Sequence, residues 1–245
     1  MTRTSAGKEK LRKPNMREAI LASAEELFST KGFSAVTVRD IAHAAGANPG
    51  SLTYHFKTKD ELLLEIYRRH CRPMNLRRSE LLTAAKRVRD LRDRLEAIVR
   101  AYVLPAFSSG SDLAGGGARF TRLRAIMSAE GNEVTRRIIA QTFDDISHAF
   151  IDAIHNSLPH IPRAEIVWRS HFLLGALYYT LVTPERVSRL SRGDSDGTDA
   201  GDAIEQLVRA SVASLQAPAL DRPAPSPRRS AAPAKSHAGD GHALK

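Results

Sequence analysis

The stretch TVRDIAHAAGANPGSLTYHFKTK, residues 37–59, leaves the chain little freedom, because its capping and breaking residues fall at helical distances. Thr37 precedes an apolar-periodic run with Asp40 three residues on. Its hydroxyl can therefore cap the free N–H groups of a helix whose inner face is Val38, Ile41, Ala42 and Ala45. Gly46 ends that helix, since glycine alone takes the left-handed conformation after a last turn without a Cβ penalty. Asn48 followed by Pro49 reads as a new N-cap and first helical residue, so the chain restarts as a helix almost at once. In this second helix Leu52 and Phe56, at i and i+4, turn inward and leave Gly50, Ser51, Thr53, Tyr54 and His55 facing out. Thr58 with Glu61 forms a second capping box, which opens the next helix with Lys57 and Lys59 beside it.

The outward set is short, polar and aromatic, and it contains no carboxylate. Such a face fits the DNA major groove, where hydroxyls and ring edges reach bases and phosphates and a helix N-terminus favours a nearby phosphate. A plain helical hairpin with a solvated polar face would use the same residue types, and the bare pattern leaves both readings open.

The longer string REAILASAEELFSTKGFSAVTVRDIAHAAGANPGSLTYHFKTKDELL adds Phe28, the Lys31-Gly32-Phe33 helix end, the Asp40-Ile41-Ala42 run and Tyr54-His55-Phe56-Lys57 with Lys59. Over about residues 15–65 it resembles the DNA-binding head of the TetR family of bacterial regulators. The resemblance implies a dimeric, all-helical repressor on a palindromic operator, released by a small-molecule effector. Residue by residue, it implies that Arg39, Pro49, Gly50, Thr53 and Tyr54 meet bases, while Thr37, Ser51, His55 and Lys59 hold phosphates. One position departs from the pattern: Thr53 is small where many members carry tyrosine or another large residue.

With 245 residues the chain can hold a small head and a larger second domain, and 42% apolar with 26% charged residues excludes disorder along its whole length. The net charge of +10 suits a polyanionic partner but suits simple solubility equally. Its distribution is more telling, because residues 1–59 carry ten Lys or Arg against five Asp or Glu. A single cysteine, Cys71, rules out an internal disulfide framework, and no Cys/His spacing suggests a zinc finger. No apolar run approaches the roughly 18–20 residues of a membrane span, and the first residues lack the apolar core of a signal peptide. A cytoplasmic location is expected.

Taken in order, residues 1–14 form a basic arm with Lys8, Lys10, Arg12 and Lys13, read as disordered or as touching phosphate. A helix from about Asn15 to Gly32 carries the stripe Ile20, Leu21, Ala24, Leu27 and Phe28 and completes a head at 15–62. From Lys59 a long helix follows, with a break expected near Pro73; the family resemblance makes the stretch from Tyr67 to Leu82 the candidate coupling joint, and a plain connecting helix fits these residues equally. Helices are predicted over Leu91 to Phe107, Phe120 to Ala129, Glu133 to Ser157, Arg163 to Leu181 and about Asp202 to Leu215, with no strand alternation anywhere. By the family resemblance they make a helical effector-binding and dimerisation body at 63–217. The glycine-rich segment 108–119 reads as loop and lacks the Lys-Ser/Thr ending of a P-loop, and 218–245 reads as a disordered tail.

No Ser-His-Asp spacing, nucleophile elbow or catalytic metal motif is present, so an enzyme is not expected and no cofactor is implied. Asp144, His148, Asp152 and His155 share one helix face, more readily a solvated stripe than a metal site. Cys71 beside Arg68, Arg69, His70 and Arg72 reads as a packing residue rather than an oxidant sensor. By type and by the family resemblance, Tyr102, Phe120, Met127, Phe143, Phe150 and Trp168 are the expected lining of an effector pocket. Phe172, Leu173, Tyr179, Leu207, Val208 and Leu215 are expected at the dimer interface of the last two long helices. Two rivals stay open: an effector-independent activator or architectural protein, and a helical small-molecule-binding protein with a vestigial head.

Overall fold

Each helix of the computed structural model starts or stops where a cap, a glycine or a loss of periodicity dictates. The model describes residues 15–108 and 117–220. The basic arm 1–14, most of the glycine-rich loop and the tail from 221 onward lie outside them. All the described elements are helices: α1 (Met16–Lys31), α2 (Val38–Ala44), α3 (Pro49–His55), α4 (Lys59–Ala85), α5 (Leu91–Phe107), α6 (Gly117–Glu130), α7 (Glu133–Ser157), α8 (Arg163–Val182), α9 (Glu185–Leu190) and α10 (Ala200–Gln216). None is long and apolar enough to cross a membrane.

The head is capped as its residues dictate. Asn15, Thr37, Asn48 and Thr58 cap α1 to α4 through their side chains, and Pro49 takes the first position of α3. Gly46 adopts φ 64° between α2 and α3. In the second box Glu61 Oε2 accepts from the N–H of Lys57 at 3.0 Å, one residue before the Thr58 cap. Ile20, Leu21, Ala24, Phe28, Ile41, Ala42, Leu52 and Phe56 close the core between α1, α2 and α3.

Four features depart from the sequence reading. Helix α4 runs unbroken through Pro73. Proline removes one backbone donor and crowds the preceding turn, at a cost of about 3 kcal/mol. Buried Tyr67 and Cys71 before it and Met74, Arg78, Leu82 and Ala85 after it hold the helix together. Helix α6 begins three residues before Phe120, and α9, six residues with no buried side chain, has too short a pattern to be visible. The fourth concerns the boundary between head and body: the head core continues through Leu62, Leu63, Ile66 and Tyr67 into Phe120, Leu123, Met127, Ile138 and Phe143 of the body. A second core fills α5, α7, α8 and α10, with Leu82 and Ala85 from the end of α4.

Polar ties reinforce the continuity. Glu25 of α1 meets His70 of α4 at 2.9 Å, and Glu130 at the end of α6 accepts from the backbone N–H and hydroxyl of Ser34 at 3.3 and 3.1 Å. Gly32 adopts φ 81°, where a side chain is strained, and a Cβ there would have to push aside the Glu130 carboxylate 1.9 Å away. Deeper in the body, Arg169 pairs with Glu165 at 2.5 Å and donates to the carbonyls of Leu215, Ala217 and Pro218, locking the end of α10 onto α8.

Candidate functional site

Helix α3 is held by its buried residues Leu52 and Phe56, and the rest of it faces solvent. Tyr54 is 86% exposed, its ring edge-on to His55 at 5.2 Å. Pro49, Gly50 and Thr53 are exposed beside it, Ser51 and His55 are half-buried, and Arg39 is exposed on α2. Every base- and phosphate-assigned residue therefore has some access to solvent. Their donors are not equally free. Thr53 spends its hydroxyl proton on the Pro49 carbonyl at 3.0 Å, which leaves its oxygen lone pairs and methyl group to a partner. The Ser51 N–H is taken by Asn48 Oδ1 at 2.7 Å.

Two of the phosphate assignments acquire internal duties that spacing does not reveal. Thr37 gives both its hydroxyl and its N–H to Asp40 Oδ2, at 2.7 and 2.8 Å. Those two bonds, the hydroxyl first, hold the Asp40 carboxyl below the usual aspartate range. Lys59 Nζ donates to the carbonyls of Phe33 and Val36 at 2.8 and 2.9 Å and lies 4.1 Å over the Phe33 ring. Partial burial pulls its ammonium below the ordinary lysine value, against Asp60 and Glu130. Lys59 thus staples the α1–α2 corner and keeps one N–H in reserve, whereas Lys57 is exposed.

The body holds a cavity of about 330 Å³ between α5, α7 and α8. Ile98, Val99, Tyr102, Phe150, Ile154 and Leu173 form much of its wall, with Asp144, His148 and His171 where it meets solvent. Of the expected lining, Tyr102 and Phe150 are there, edge-on to each other at 5.2 Å. The other four positions need correction. Phe120, Met127 and Phe143 fill the core shared with the head, Phe120 stacking on His70 at 4.9 Å. Trp168 is 53% exposed on the outer side of α8. An apolar residue on a two-sided helix can face either neighbour, and only the packing decides which. The cavity residues missed from the sequence, Ile98, Val99, Ile151 and Ile154, carry no signal that separates lining from filled core.

The dimer assignments divide in the same way. Phe172 and Tyr179 are 59% and 57% exposed and continue Trp168 along α8 at helical spacing, with Val182 beyond. Leu173, Leu207, Val208 and Leu215 are instead buried within the subunit, where α10 packs on α5 and α8. On α7, Asp152 pairs with Arg163, while Asp144 and His148 sit at the cavity mouth. Cys71 is buried, and burial pushes its thiol up despite Arg124, Arg72 and Arg68, away from the reactive thiolate form.

Comparisons with known proteins meet both halves. A model described as bacterial regulatory proteins of the tetR family matches residues 20–66, and one described as the tetracyclin repressor-like C-terminal domain matches residues 100–214. The transcriptional regulator QacR of Staphylococcus aureus is 44% identical over 52 residues, 21% of this chain and 28% of that protein. The transcriptional repressor KstR2 of Rhodococcus jostii is 46% identical over 56 residues, 23% of this chain and 28% of that one. The chain thus spans little more than a quarter of the length of either relative. Among solved structures, a TetR-family transcriptional regulator from Bordetella parapertussis superposes with a TM-score of 0.57 at 18% identity, over 81% of this chain and 95% of that one. Salmonella enterica GusR gives 0.50 at 18% identity, over 85% and 100%. With one model on the head and another on the body, in the order in which the fold arranges them, the chain belongs to the TetR family of bacterial regulators.

Proposed function

We propose that the protein is a homodimeric, sequence-specific repressor that sits on a palindromic DNA operator and leaves it when a small molecule fills the body. The observation that carries this is the state of α3: a short helix pinned by Leu52 and Phe56 that presents an almost fully exposed Tyr54 on a face without a carboxylate. An aromatic ring left in water costs apolar hydration, and contact with bases recovers it.

In this reading Tyr54, Thr53, Gly50, Pro49 and Arg39 meet base edges, and Ser51, His55 and Lys57 meet phosphates. Thr37 and Lys59 act mainly by fixing the entry angles of α2 and α4. The stripe Trp168, Phe172, Tyr179 and Val182 is covered by the same stripe of a second copy, which sets the two α3 helices roughly one duplex turn apart. The body cavity favours a ligand-released regulator over an effector-independent one. KstR2 is described as a repressor, which agrees with the direction of control.

Fluorescence anisotropy on a preferred duplex and a scrambled one tests the division of roles. Tyr54→Ala loses roughly 5- to 150-fold of its preference, on the order of 1–3 kcal/mol, with scrambled binding unchanged. Lys57→Ala weakens both duplexes alike and lowers the salt slope by about one. Full selectivity in Tyr54→Ala would overturn the assignment.

A further inference from the structure

Among the described residues, the interior of the body holds two charges without a countercharge. Arg78 on α4 and Arg124 on α6 are 1% and 4% exposed. The Arg78 guanidinium lies 4.2 Å over the Tyr102 ring, and its Nε donates to the Tyr102 carbonyl at 3.1 Å. The Arg124 guanidinium lies 3.5 Å over Phe143 and 5.6 Å from the centre of the Tyr178 ring. Burial weighs most heavily against the charge of Arg78 and Arg124 also opposes it, while Tyr102 and Tyr178 favour it. No ion pair among the described residues includes Arg78 or Arg124.

Polar atoms on these two helices are also unspent. Nη1 of Arg78, Nε of Arg124, the Tyr67 hydroxyl and Oδ1 of Asn75 are buried without a hydrogen-bond partner. Three of these four can donate. Buried donors are rarely left unmade, and a buried arginine without an anion is costlier still. Both arginines share helix faces with apolar residues, Met74 and Leu82 beside Arg78, and Phe120 and Met127 beside Arg124, so packing alone would be better served by a methionine or leucine.

The complement of this arrangement is an anion with several lone pairs, and a carboxylate matches guanidinium geometry closely. The apolar cavity lies next door: Tyr102 is part of its wall and also rests on Arg78. At about 330 Å³ it is roughly twice the size of a cavity that encloses benzene. Asp144, His148 and His171 at the mouth are exposed, so their charges are screened by water, whereas the arginines act in the low-dielectric interior.

We propose that the effector is a compact organic acid whose carboxylate seats between Arg78 and Arg124, with its apolar part in the cavity beside Tyr102, whose ring swings aside to join the two spaces. The identity of this ligand as an effector rests on the repressor reading above. The arginines stand on helices that carry the head core into the body. Helix α4 carries Leu62, Leu63, Ile66 and Tyr67 into the head core, and α6 carries Phe120, Leu123 and Met127 there and ends on Glu130 at Gly32 and Ser34. Drawing Arg78 and Arg124 onto one carboxylate shifts α4 against α6 and so re-aims α3.

Thermal unfolding of the full chain tests this with benzoate and octanoate, each against its neutral and cationic counterparts: benzyl alcohol and benzylamine, 1-octanol and octylamine. A carboxylate raises Tm saturably, by about 5 °C or more at a hundredfold excess over Kd, and its counterparts do not. Arg124→Met abolishes that shift and raises the Tm of the ligand-free protein, because it removes an unpaired buried charge. Arg124→Lys, which keeps the charge but loses the fork, retains a reduced shift and serves if the methionine variant does not fold. The proposal falls if neither carboxylate shifts Tm, if an alcohol or amine does as well, or if Arg124→Met keeps the shift or lowers the ligand-free Tm. Operator selection without any acid tests the repressor reading separately, so the two can fail independently.

Discussion

The head and the body place their buried residues with very different amounts of local instruction. In the head, four side-chain caps, Gly46 and Pro49 bracket helices as short as seven residues, so the position of each helix start fixes which residues face in. In the body the helices are long and many touch two neighbours, and no cap distinguishes a residue that fills the core from one that lines the cavity or faces solvent. The exposed face of the head is therefore written in short-range chemistry. A pocket is written in packing that a single sequence does not display.

The largest expected effect tests whether the two regions are separable at all. Phe28 is completely buried in a core that runs from α1 to Phe120 and Phe143. Phe28→Ala should cost about 3–5 kcal/mol, and calorimetry should show head and body melting together at a lower Tm rather than a loosened head on an intact body. A separate head transition would break the picture of a shared core.

Next comes the exposed stripe of α8. Phe172→Glu should weaken self-association on the order of 30-fold in sedimentation, with helical content retained, since the side chain is solvent-exposed within one subunit. The same charge placed at Leu207, which is buried in the subunit, should unfold the body instead.

Smaller effects sharpen the head's side of the comparison. Gly46 has φ 64° and nothing within 4 Å of where a Cβ would stand, so Gly46→Ala should cost about 1–2 kcal/mol of chemical stability through backbone strain alone. Glu25 gives the smallest effect and a pH signature. Burial opposes its charge, but the His70 hydrogen bond and the charges of His70, Arg119 and Arg69 outweigh burial and hold its carboxyl below the ordinary glutamate value of 4.5. A depressed carboxyl contributes stability that is present above the unfolded value and lost as pH falls through the lower folded one. Glu25→Gln should therefore cost about 1 kcal/mol at pH 7, and the difference from wild type should shrink below about pH 4.5 in denaturation series.

Particular residues show how far sequence alone reached. Leu52, Phe56 and Tyr54 were separable because a seven-residue helix with a known start has only one way to turn. Trp168 was placed in the pocket and lies outside, because α8 is apolar on more than one face. Pro73 implied a break that packing on both sides overrides. Arg78 and Arg124 did leave a signal, each an arginine in register with buried apolar neighbours on its helix, but the same register also fits a long side chain that reaches solvent. Lys59 likewise reads as a free cation until the carbonyls of Phe33 and Val36 are seen to hold it.

The central claim is that α3 reads sequence as one half of a symmetric pair. Selection of random duplexes by the purified protein at physiological salt tests it most directly. An enriched inverted repeat, with half-sites roughly one helical turn apart, is the expected result. No enriched motif, with binding that collapses uniformly as salt rises, would contradict it and leave only the sequence-independent attraction of a basic protein to phosphate.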